Sequence, residues 1–298
     1  MRQQKWESKN IPDQKGRVVI VTGSSSGLGF ETARVLANKN ATVIVAVRNE
    51  EKGNRAVEKI KTECPHADIQ VMLVDLADLA SIHKFAKKFN KKFNQLDLLI
   101  NNAGVMTPPY SKTKDEFELQ FGTNHLGHFA LTGLLIDLIK KTANSRIVNV
   151  SSMAHKIGKL NFEDLNWKTR PYKKTRSYAD SKLANLYFTK GLQKRLKSQS
   201  SGVIVASAHP GGTATELARH SLFYTALNLI AQDSKMGALP TLYAAVAPDV
   251  QGNDYIGPGG FQEFKGYPKK VEPAAHAKKE DVAEKLWKVS EEMTGVSY

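Results

Sequence analysis

A run of β-branched residues that leads straight into a glycine-rich turn constrains the fold of this chain more than any other stretch. Residues 17–22 read Arg-Val-Val-Ile-Val-Thr, which predicts a buried strand of a parallel sheet. Residues 23–29 (Gly-Ser-Ser-Ser-Gly-Leu-Gly) follow, and residues 30–38 predict a helix. In such a unit the glycines let the backbone approach a ligand closely, and the helix N-terminus presents free N–H groups. The unit therefore predicts a phosphate-binding turn.

The same alternation of strand and helix continues along the chain. Further strands are predicted at residues 41–47, 69–74, 96–101, 145–150, 203–208 and 254–256. Further helices are predicted at residues 50–62, 79–93, 117–140, 177–197 and 279–293. Strands joined through helices form right-handed crossovers and a parallel sheet with helices on both faces. We expect an α/β fold with a single doubly wound parallel sheet of the Rossmann type, which binds ligands at the carboxyl ends of its strands.

No repeat, low-complexity tract or linker divides the sequence, so we expect one domain over residues 1–298. Three segments depart from the alternation: residues 1–14 are an N-terminal extension, residues 153–176 an insertion, and residues 213–235 a lid over the substrate. The insertion is either a binding loop or a solvated basic loop. The lid region contains Leu222, Phe223 and Leu227, which would cap an apolar pocket, dock on a membrane surface or belong to the core.

Composition indicates in which cellular compartment the protein works and which classes of partner it binds. The single cysteine excludes an internal disulfide, the start of the chain lacks an apolar signal-peptide region, and no apolar run reaches the ~18 residues of a membrane span. We therefore expect a cytoplasmic protein. The net charge of +14 comes from lysines scattered through most helices, without a zinc-finger spacing or an aromatic RNA-binding signature. We expect no nucleic acid partner and no metal site, and we leave a weak contact with a membrane surface open.

Tyr178 and Lys182 stand four residues apart in a predicted helix, so their side chains share one helix face. A phenol titrates near pH ~10, and a nearby ammonium lowers the pKa of that phenol because it favours the phenolate. The pair is suited to proton transfer. The same spacing also occurs on many solvated helix faces, so its meaning depends on the residues around it.

Four motifs occur together and in a defined order. They are Thr22-Gly23-x-x-x-Gly27-x-Gly29 after the first strand, Asn101-Asn102-Ala103-Gly104 after the fourth, Ser152 after the fifth, and Tyr178-x-x-x-Lys182 on the next helix. In this combination the chain resembles the short-chain dehydrogenase/reductase family over residues 15–294. Arg48, the long insertion, residues 181–185 and His209-Pro210-Gly211 resemble the branch that contains retinol dehydrogenases, WW-domain oxidoreductase and protochlorophyllide reductase.

The resemblance implies a role for each catalytic candidate. Tyr178 would donate a proton in reduction and accept one in oxidation, and Lys182 would lower its pKa and bind the nicotinamide ribose. Ser152, rather than its neighbour Ser151, would hydrogen-bond the substrate carbonyl oxygen, where negative charge develops. Asn124 matches the asparagine that holds a water for the proton relay, although an asparagine in a helix is also a common packing residue.

Residue 48 bears on the choice of cofactor. Folds that bind NAD place an acidic residue near the end of the second strand, whereas here Val47 is followed by Arg48, whose guanidinium suits a 2′-phosphate. We expect NADP(H) in preference to NAD(H). The resemblance implies contacts to the cofactor from Gly23, Ser25, Ser26, Gly27, Leu28, Gly29, Arg48, Asp75, Leu76, Asn102, Ala103, Gly104, Tyr178, Lys182, Pro210, Gly211 and Thr213.

Together these features predict an NADP(H)-dependent oxidoreductase that interconverts a carbonyl and an alcohol. We expect an apolar small-molecule substrate, such as a retinal-, aldehyde- or ketone-like compound, and leave a homodimer open. Two alternatives stand beside this function: a cofactor-sensing protein without turnover, and a reductase of a carbon–carbon double bond. The intact set of Asn124, Ser152, Tyr178 and Lys182 favours an active enzyme over a sensor.

Overall fold

One twisted sheet forms the centre of the computed structural model, which describes residues 5–212 and 232–298. Its strands are β1 (Val18–Thr22), β2 (Thr42–Val47), β3 (Ile69–Leu73), β4 (Leu98–Asn101), β5 (Arg146–Val150), β6 (Ile204–Ala208), β7 (Tyr255–Pro258) and β8 (Pro268–Val271). They lie in the order β3-β2-β1-β4-β5-β6-β7-β8, and only the β7–β8 pair is antiparallel within these described residues. The strand order reverses between β1 and β4, which opens a crevice at their carboxyl ends.

Helices cover both faces of this sheet. They are α1 (Gly27–Asn38), α2 (Glu50–Glu63), α3 (Leu79–Lys92), α4 (Leu119–Phe121), α5 (Gly127–Lys141), α6 (Lys174–Ser198), α7 (Ser234–Val246) and α8 (Glu280–Thr294). Val19 and Val21 of β1 belong to a core with α1, α2 and α7, whereas Ile20 belongs to a core with α3, α5, α6 and α8. Successive side chains of a strand point to opposite faces, so a strand covered on both sides must be apolar throughout. The predicted doubly wound α/β fold is confirmed.

Side-chain caps set the start of several helices. The Asn49 side chain accepts from the N–H of Lys52 at the start of α2, and Asp78 and Asp233 do the same for α3 and α7. Each cap satisfies a backbone N–H that the helix itself leaves unpaired. These are residue types that a sequence can reveal, and the first six predicted strands lie within two residues of β1–β6.

The far edge of the sheet differs from the prediction. β7 extends two residues beyond the predicted strand, through Gly257 and Pro258, and β8 was not predicted. β8 reads Pro-Lys-Lys-Val, which lacks the apolar character used to recognise strands. Charged residues and proline are typical of an edge strand, because they discourage pairing with another chain.

The predicted uninterrupted helix over residues 117–140 is wrong in detail. The helical segment starts with a single turn, Leu119–Phe121, continues as a π-helical stretch, Gly122–Leu126, and becomes regular from Gly127 onward. In the π-helical stretch an N–H donates to a carbonyl five residues earlier, so the backbone bulges. Such bulges are frequent at functional sites, and Asn124 lies inside this one.

The insertion over residues 153–176 is shorter and better ordered than its sequence indicated. It begins with a 3-10 helix, Met153–Ile157, and its last residues already belong to α6. Between them the Asp164 carboxylate accepts from the N–H groups of Lys168 and Thr169, and Trp167 is buried. The segment therefore has its own internal hydrogen bonds and a buried anchor.

Both ends of the described chain pack on the sheet layers. Ile11, inside the predicted N-terminal extension, is buried in the core. Near the other end, Trp287 of α8 packs against Phe188 of α6, and the Tyr298 hydroxyl donates to the Phe129 carbonyl.

Most of the predicted lid, including Leu222, Phe223 and Leu227, lies outside the described residues; α7 starts at Ser234. In residues 5–212 and 232–298 no helix combines the length and apolar character needed to cross a membrane.

Candidate active site

The segments that follow β1 and β4 are joined through the hydroxyl of Thr22. This oxygen accepts from the N–H groups of Asn102 and Ala103, each at 2.9 Å. The Asn102 side chain in turn donates to the Thr22 carbonyl at 2.8 Å. Asn102 and Ala103, predicted to contact the cofactor, thus also brace the glycine-rich turn.

The glycine-rich turn packs so tightly against its neighbours that two of its glycines have no room for a side chain. Gly23 has φ +67°, and a Cβ on it would lie 2.8 Å from the Cα of Ala103. A Cβ on Gly29 would lie 2.5 Å from the Gly23 carbonyl oxygen and 2.5 Å from Nδ2 of Asn102. Gly27, with φ +57°, starts α1. The turn and the helix N-terminus together form the kind of cradle that holds a phosphate group.

Around this cradle the other candidate residues of the turn differ in exposure. Ser26 is exposed at the start of α1, Ser25 is half-buried, and Leu28 is buried against the sheet. The Ser24 hydroxyl donates to the Val21 carbonyl at 2.7 Å, so this hydrogen bond ties the turn to the end of β1.

The candidate adenine-side residues lie at the ends of β2 and β3. Arg48 follows β2 and is exposed, and no other described residue forms a hydrogen bond or ion pair with its guanidinium. Asp75 follows β3, where its carboxylate accepts from the N–H of Ala77 at 3.0 Å, and Leu76 is buried beside Gly127. Arg48 is thus placed to meet an anion from solvent.

Lys182 is buried on α6, one helical turn after the half-buried Tyr178. Its side-chain nitrogen donates to the Val150 carbonyl at 3.1 Å and lies 5.8 Å from the centre of the Tyr178 ring. Only 4% of Lys182 is exposed, and this burial lowers the pKa of its ammonium from 10.5 to about 8. At neutral pH the lysine is therefore still mostly charged, next to the phenol.

Ser151 and Ser152 follow β5 but have different environments. Ser151 is buried and its hydroxyl donates to the Lys182 carbonyl at 2.8 Å. Ser152 is half-exposed at the start of the 3-10 helix, where its hydroxyl oxygen accepts weakly from the N–H of Ala154 at 3.2 Å. The Ser152 hydroxyl can thus donate its proton to a ligand, whereas the Ser151 hydroxyl already donates its proton to the main chain of α6.

Asn124 is clamped by three hydrogen bonds. Its Oδ1 accepts from the N–H of Val105 at 2.8 Å, and its Nδ2 donates to the Val105 carbonyl at 3.0 Å and to the Ser181 hydroxyl at 2.9 Å. A Cβ on Gly104 would lie 3.0 Å from Asn124 Oδ1 and 3.6 Å from Lys182 Nζ. The structure thus brings Gly104, Asn124 and Lys182 together, and Asn124 links the loop after β4 to the helix of Tyr178.

The loop after β6 is only partly described. Gly211 has φ +68°, and the Pro210 carbonyl accepts from Nε2 of Gln232 at 2.7 Å. Gln232 was not predicted, and it brings the chain beyond the undescribed segment back to this loop. Thr213 lies outside the described residues.

Sequence reasoning missed two buried histidines, His128 and His155. His128 lies four residues after Asn124, and its ring contacts the Asn124 carbonyl and the Thr22 hydroxyl. His155 lies three residues after Ser152 and contacts the Ser152 carbonyl. Helical spacing from a catalytic candidate was the only signal that could have found them. Within the part of the chain that is described, no group of three or more His, Cys, Asp or Glu could hold a metal ion.

The burial of Lys182 makes a prediction about stability. Its pKa of about 8 is below the 10.5 of the unfolded chain, so between these values the unfolded chain binds more protons and stability rises with pH. We expect the cofactor-free wild type to gain about 2–3 kcal/mol from pH 7 to pH 10 relative to Lys182→Met. Urea unfolding at both pH values measures this, with exposed Lys87→Met as the control. If the free energy of unfolding of wild type and of Lys182→Met changed equally between pH 7 and pH 10, the pKa of Lys182 would not be lowered in the folded protein.

Comparison with known proteins identifies the family to which this chain belongs. The family model described as "short chain dehydrogenase" matches residues 17–222. Human retinol dehydrogenase 13 is 43% identical over 291 residues, which cover 94% of this chain and 85% of that protein. Mouse retinol dehydrogenase 12 is 41% identical over 287 residues, which cover 95% of this chain and 88% of that protein.

A solved structure extends the likeness to the whole fold. The crystal structure of an uncharacterized protein from Mycobacterium paratuberculosis superposes with a TM-score of 0.85 and 40% identity, and the match covers 99% of both chains. Fold, motifs and relatives agree over nearly the full length. The chain therefore belongs to the short-chain dehydrogenase family of oxidoreductases, and within it to the retinol dehydrogenase-like proteins.

Proposed function

We propose that this chain transfers a hydride between NADP(H) and a carbonyl or alcohol substrate, with Tyr178 as general acid and base. The observation that carries the proposal is the burial of a charged Lys182 beside Tyr178 and Asn124, at the carboxyl ends of the strands. Among residues 5–212 and 232–298 no carboxylate pairs with this ammonium, which donates to the Val150 carbonyl. A buried charge without an opposite charge beside it is costly, and strongly shifted groups of this kind cluster at functional sites.

The described residues fit a nicotinamide dinucleotide. The backbone-lined turn over residues 23–29 would hold the pyrophosphate at the start of α1, since side chains there would fill the space. Asp75 and Leu76 would contact the adenine, and Arg48 would bind the 2′-phosphate. The loops of residues 102–104 and 210–211, together with Lys182, would hold the nicotinamide half. Thr213, outside the described residues, is expected to contact it from the resemblance alone. When bound, the cofactor supplies or accepts the hydride.

The protein side of the reaction follows from three groups. In reduction, the Tyr178 hydroxyl donates its proton to the carbonyl oxygen as negative charge develops there. The Ser152 hydroxyl donates a hydrogen bond to the same oxygen. The Lys182 ammonium stabilises the phenolate that Tyr178 becomes. In oxidation the proton transfer is reversed, and Tyr178 accepts the proton of the alcohol.

An apolar substrate is supported by two kinds of observation. The relatives of 40–43% identity are named retinol dehydrogenases, and retinol is an apolar alcohol. In this chain, Ile157 and Phe261 are 61% and 85% exposed, and an ion pair between Lys156 and Glu263 brings their two segments together. The first segment follows Ser152 directly, and the second contacts the loop after β6, where the N–H of Gly212 donates to the Phe264 carbonyl at 2.7 Å. An apolar molecule that approached the site would therefore meet these two side chains.

A panel of carbonyls and alcohols with NADPH or NADP⁺ tests the function by absorbance at the nicotinamide band. We expect turnover of long-chain or polyene aldehydes, with less activity on short polar ones. Tight NADPH binding without turnover of any carbonyl would favour the cofactor sensor. Turnover of conjugated enones to saturated ketones, without loss of the carbonyl, would identify a carbon–carbon double-bond reductase.

The preference for NADP(H) depends on Arg48. A charge-assisted hydrogen bond to phosphate contributes about 1.5–3 kcal/mol, which corresponds to a roughly 10- to 100-fold change in binding. We expect Arg48→Ala to raise the KM for NADPH by about that factor and to leave the KM for NADH nearly unchanged. Lys61→Ala, an exposed cation further along α2, is the matched control. A wild-type enzyme with a lower KM for NADH than for NADPH would show that Arg48 does not select the cofactor.

Location and assembly stay predictions: a cytoplasmic protein of one domain, with a homodimer open. In this chain the apolar side of α6 is covered by α8, where Arg195 pairs with Glu284 at 2.7 Å and Trp287 packs on Phe188. A homodimer formed through this side of α6 would therefore have to displace α8.

A further inference from the structure

His128 connects the catalytic asparagine to the cofactor cradle. The ring is 2% exposed; its Nδ1 lies 3.0 Å from the Asn124 carbonyl oxygen, and its Nε2 lies 2.9 Å from the Thr22 hydroxyl. Thr22 is the residue that gathers the N–H groups of Asn102 and Ala103. One imidazole thus joins the π-helical turn to the first strand and to the loop after the fourth.

The partners of His128 determine which nitrogen carries its proton. A carbonyl oxygen can only accept, so Nδ1 must be the donor to Asn124. The Thr22 oxygen already accepts two N–H groups, and its single proton is best placed to donate to Nε2 at 2.9 Å, since the Ile100 carbonyl is more distant at 3.3 Å. The ring is therefore neutral, in the Nδ1–H form. Burial agrees, because it lowers the pKa of His128 to about 4.

His155 repeats this arrangement on the other side of the site. Its Nδ1 lies 2.7 Å from the Ser152 carbonyl oxygen, and its Nε2 accepts from the N–H of Ala274 at 3.1 Å. A carbonyl can only accept and a backbone N–H can only donate, so hydrogen-bond chemistry alone requires the neutral Nδ1–H form. The Tyr255 hydroxyl lies further away, 3.4 Å from Nδ1.

The two carbonyls belong to irregular backbone, which explains the need for such partners. Asn124 lies in a π-helical bulge, where the regular helical pattern is interrupted. Ser152 caps a 3-10 helix, and its carbonyl accepts one bond from the backbone N–H of His155 at 3.0 Å and a second, shorter one from the ring of the same residue. If either peptide plane rotated, the side chain attached to it would move. For Asn124 that movement would break the clamp on Val105 and Ser181.

We propose that His128 and His155 are positioning residues, which hold the main chain of Asn124 and Ser152 through matched Nδ1–H hydrogen bonds. Each ring anchors its catalytic residue to a distant segment, Thr22 in one case and Ala274 in the other. Neither ring is assigned any contact with substrate or cofactor. For its kinetic consequences, this assignment rests on the function proposed above.

The experiment compares two substitutions at each position. Phenylalanine keeps the ring but removes both hydrogen bonds, whereas asparagine carries a nitrogen on Cγ, as histidine does, and keeps the donor to the carbonyl. We expect His128→Phe and His155→Phe to lower kcat by about 10- to 100-fold with little change in substrate KM, because small displacements of catalytic groups are costly. We expect His128→Asn and His155→Asn to recover kcat to within roughly 10-fold of wild type, since only the second bond is lost.

Melting temperatures of all four variants separate positioning from folding. A merely structural role would make kcat follow thermal stability, and the assignment would be overturned if asparagine and phenylalanine were equally inactive or if both were fully active. A second measurement does not depend on turnover. Long-range ¹H–¹⁵N spectra should show both rings as Nδ1–H at neutral pH, with signals identified by their loss in the asparagine variants. An Nε2–H ring would refute the assignment even if the enzyme is active, whereas a wild type without turnover would refute only the proposed function.

Discussion

Tyr178→Phe is expected to lower kcat by about 10²- to 10⁴-fold, the range that a positioned general acid contributes. Phenylalanine keeps the ring that lies 5.8 Å from the Lys182 nitrogen, so packing on α6 and the site around the lysine should persist. What disappears is the hydroxyl, which is the only group of this residue that can give a proton to a carbonyl oxygen or accept one from an alcohol. Cofactor affinity should change far less than turnover, because Ser152, Lys182 and the glycine-rich turn are untouched.

Single-turnover kinetics with NADPH, together with a cofactor titration, measure this effect. Tyr243→Phe is a matched control: it removes a phenol that bonds Asp249 on the opposite face of the sheet, and it should leave kcat unchanged. Turnover of Tyr178→Phe equal to wild type would remove Tyr178 from the chemistry and leave the buried lysine without a catalytic partner.

Gly29→Ala is expected to abolish measurable cofactor binding, although alanine is the better helix former by about 1 kcal/mol. The new Cβ would lie 2.5 Å from the Gly23 carbonyl oxygen and from the Asn102 amide nitrogen. The first neighbour is backbone of the turn, and the second is held by its hydrogen bond to the Thr22 carbonyl, so the clash cannot be relieved by moving one flexible side chain. Overpacking of this kind costs about 1–3 kcal/mol and displaces the backbone that would meet the pyrophosphate, so the steric effect exceeds the gain in helix propensity.

Fluorescence titration of NADPH into the folded variant measures the loss, and thermal unfolding measures the strain separately. Gly202→Ala is the control, because a Cβ on Gly202 would have no neighbour within 4 Å. A Gly29→Ala protein that is folded and binds NADPH like wild type would show that the cofactor does not lie on this turn.

The parts of the fold that the sequence predicted are those with a local signal. The β-branched runs of β1 and β2 are buried on both faces and cannot be mistaken for surface, and Asn49 and Asp78 are capping types at helix starts. β8 was missed because an edge strand needs no apolar alternation. The π-helical bulge was missed because residues 120–132 are buried on all sides of the helix. An inserted residue rotates the helix face by about 100°, but without a polar side the sequence shows no pattern in which that rotation could be seen.

The candidate site divides in the same way. Tyr178 and Lys182 share a helix face, and the ends of parallel strands meet at one edge, so spacing and strand order were sufficient to gather the catalytic candidates there. The burial that lowers the pKa of Lys182 could not be read from its neighbours in sequence. It results from packing of α6 against β5 and the loop after β4.

The sequence by itself thus determined the doubly wound sheet, the glycine-rich turn, the order of the motifs and the family, because each is encoded by neighbouring residues or by regular periodicity. Only the tertiary structure decided how the site is held. The contact of Thr22 with His128 joins residues 106 apart, and that of His155 with Ala274 joins residues 119 apart. Such contacts depend on how whole layers pack, and no local pattern specifies them. The segments that position Asn124 and Ser152 could therefore be identified only from the tertiary structure.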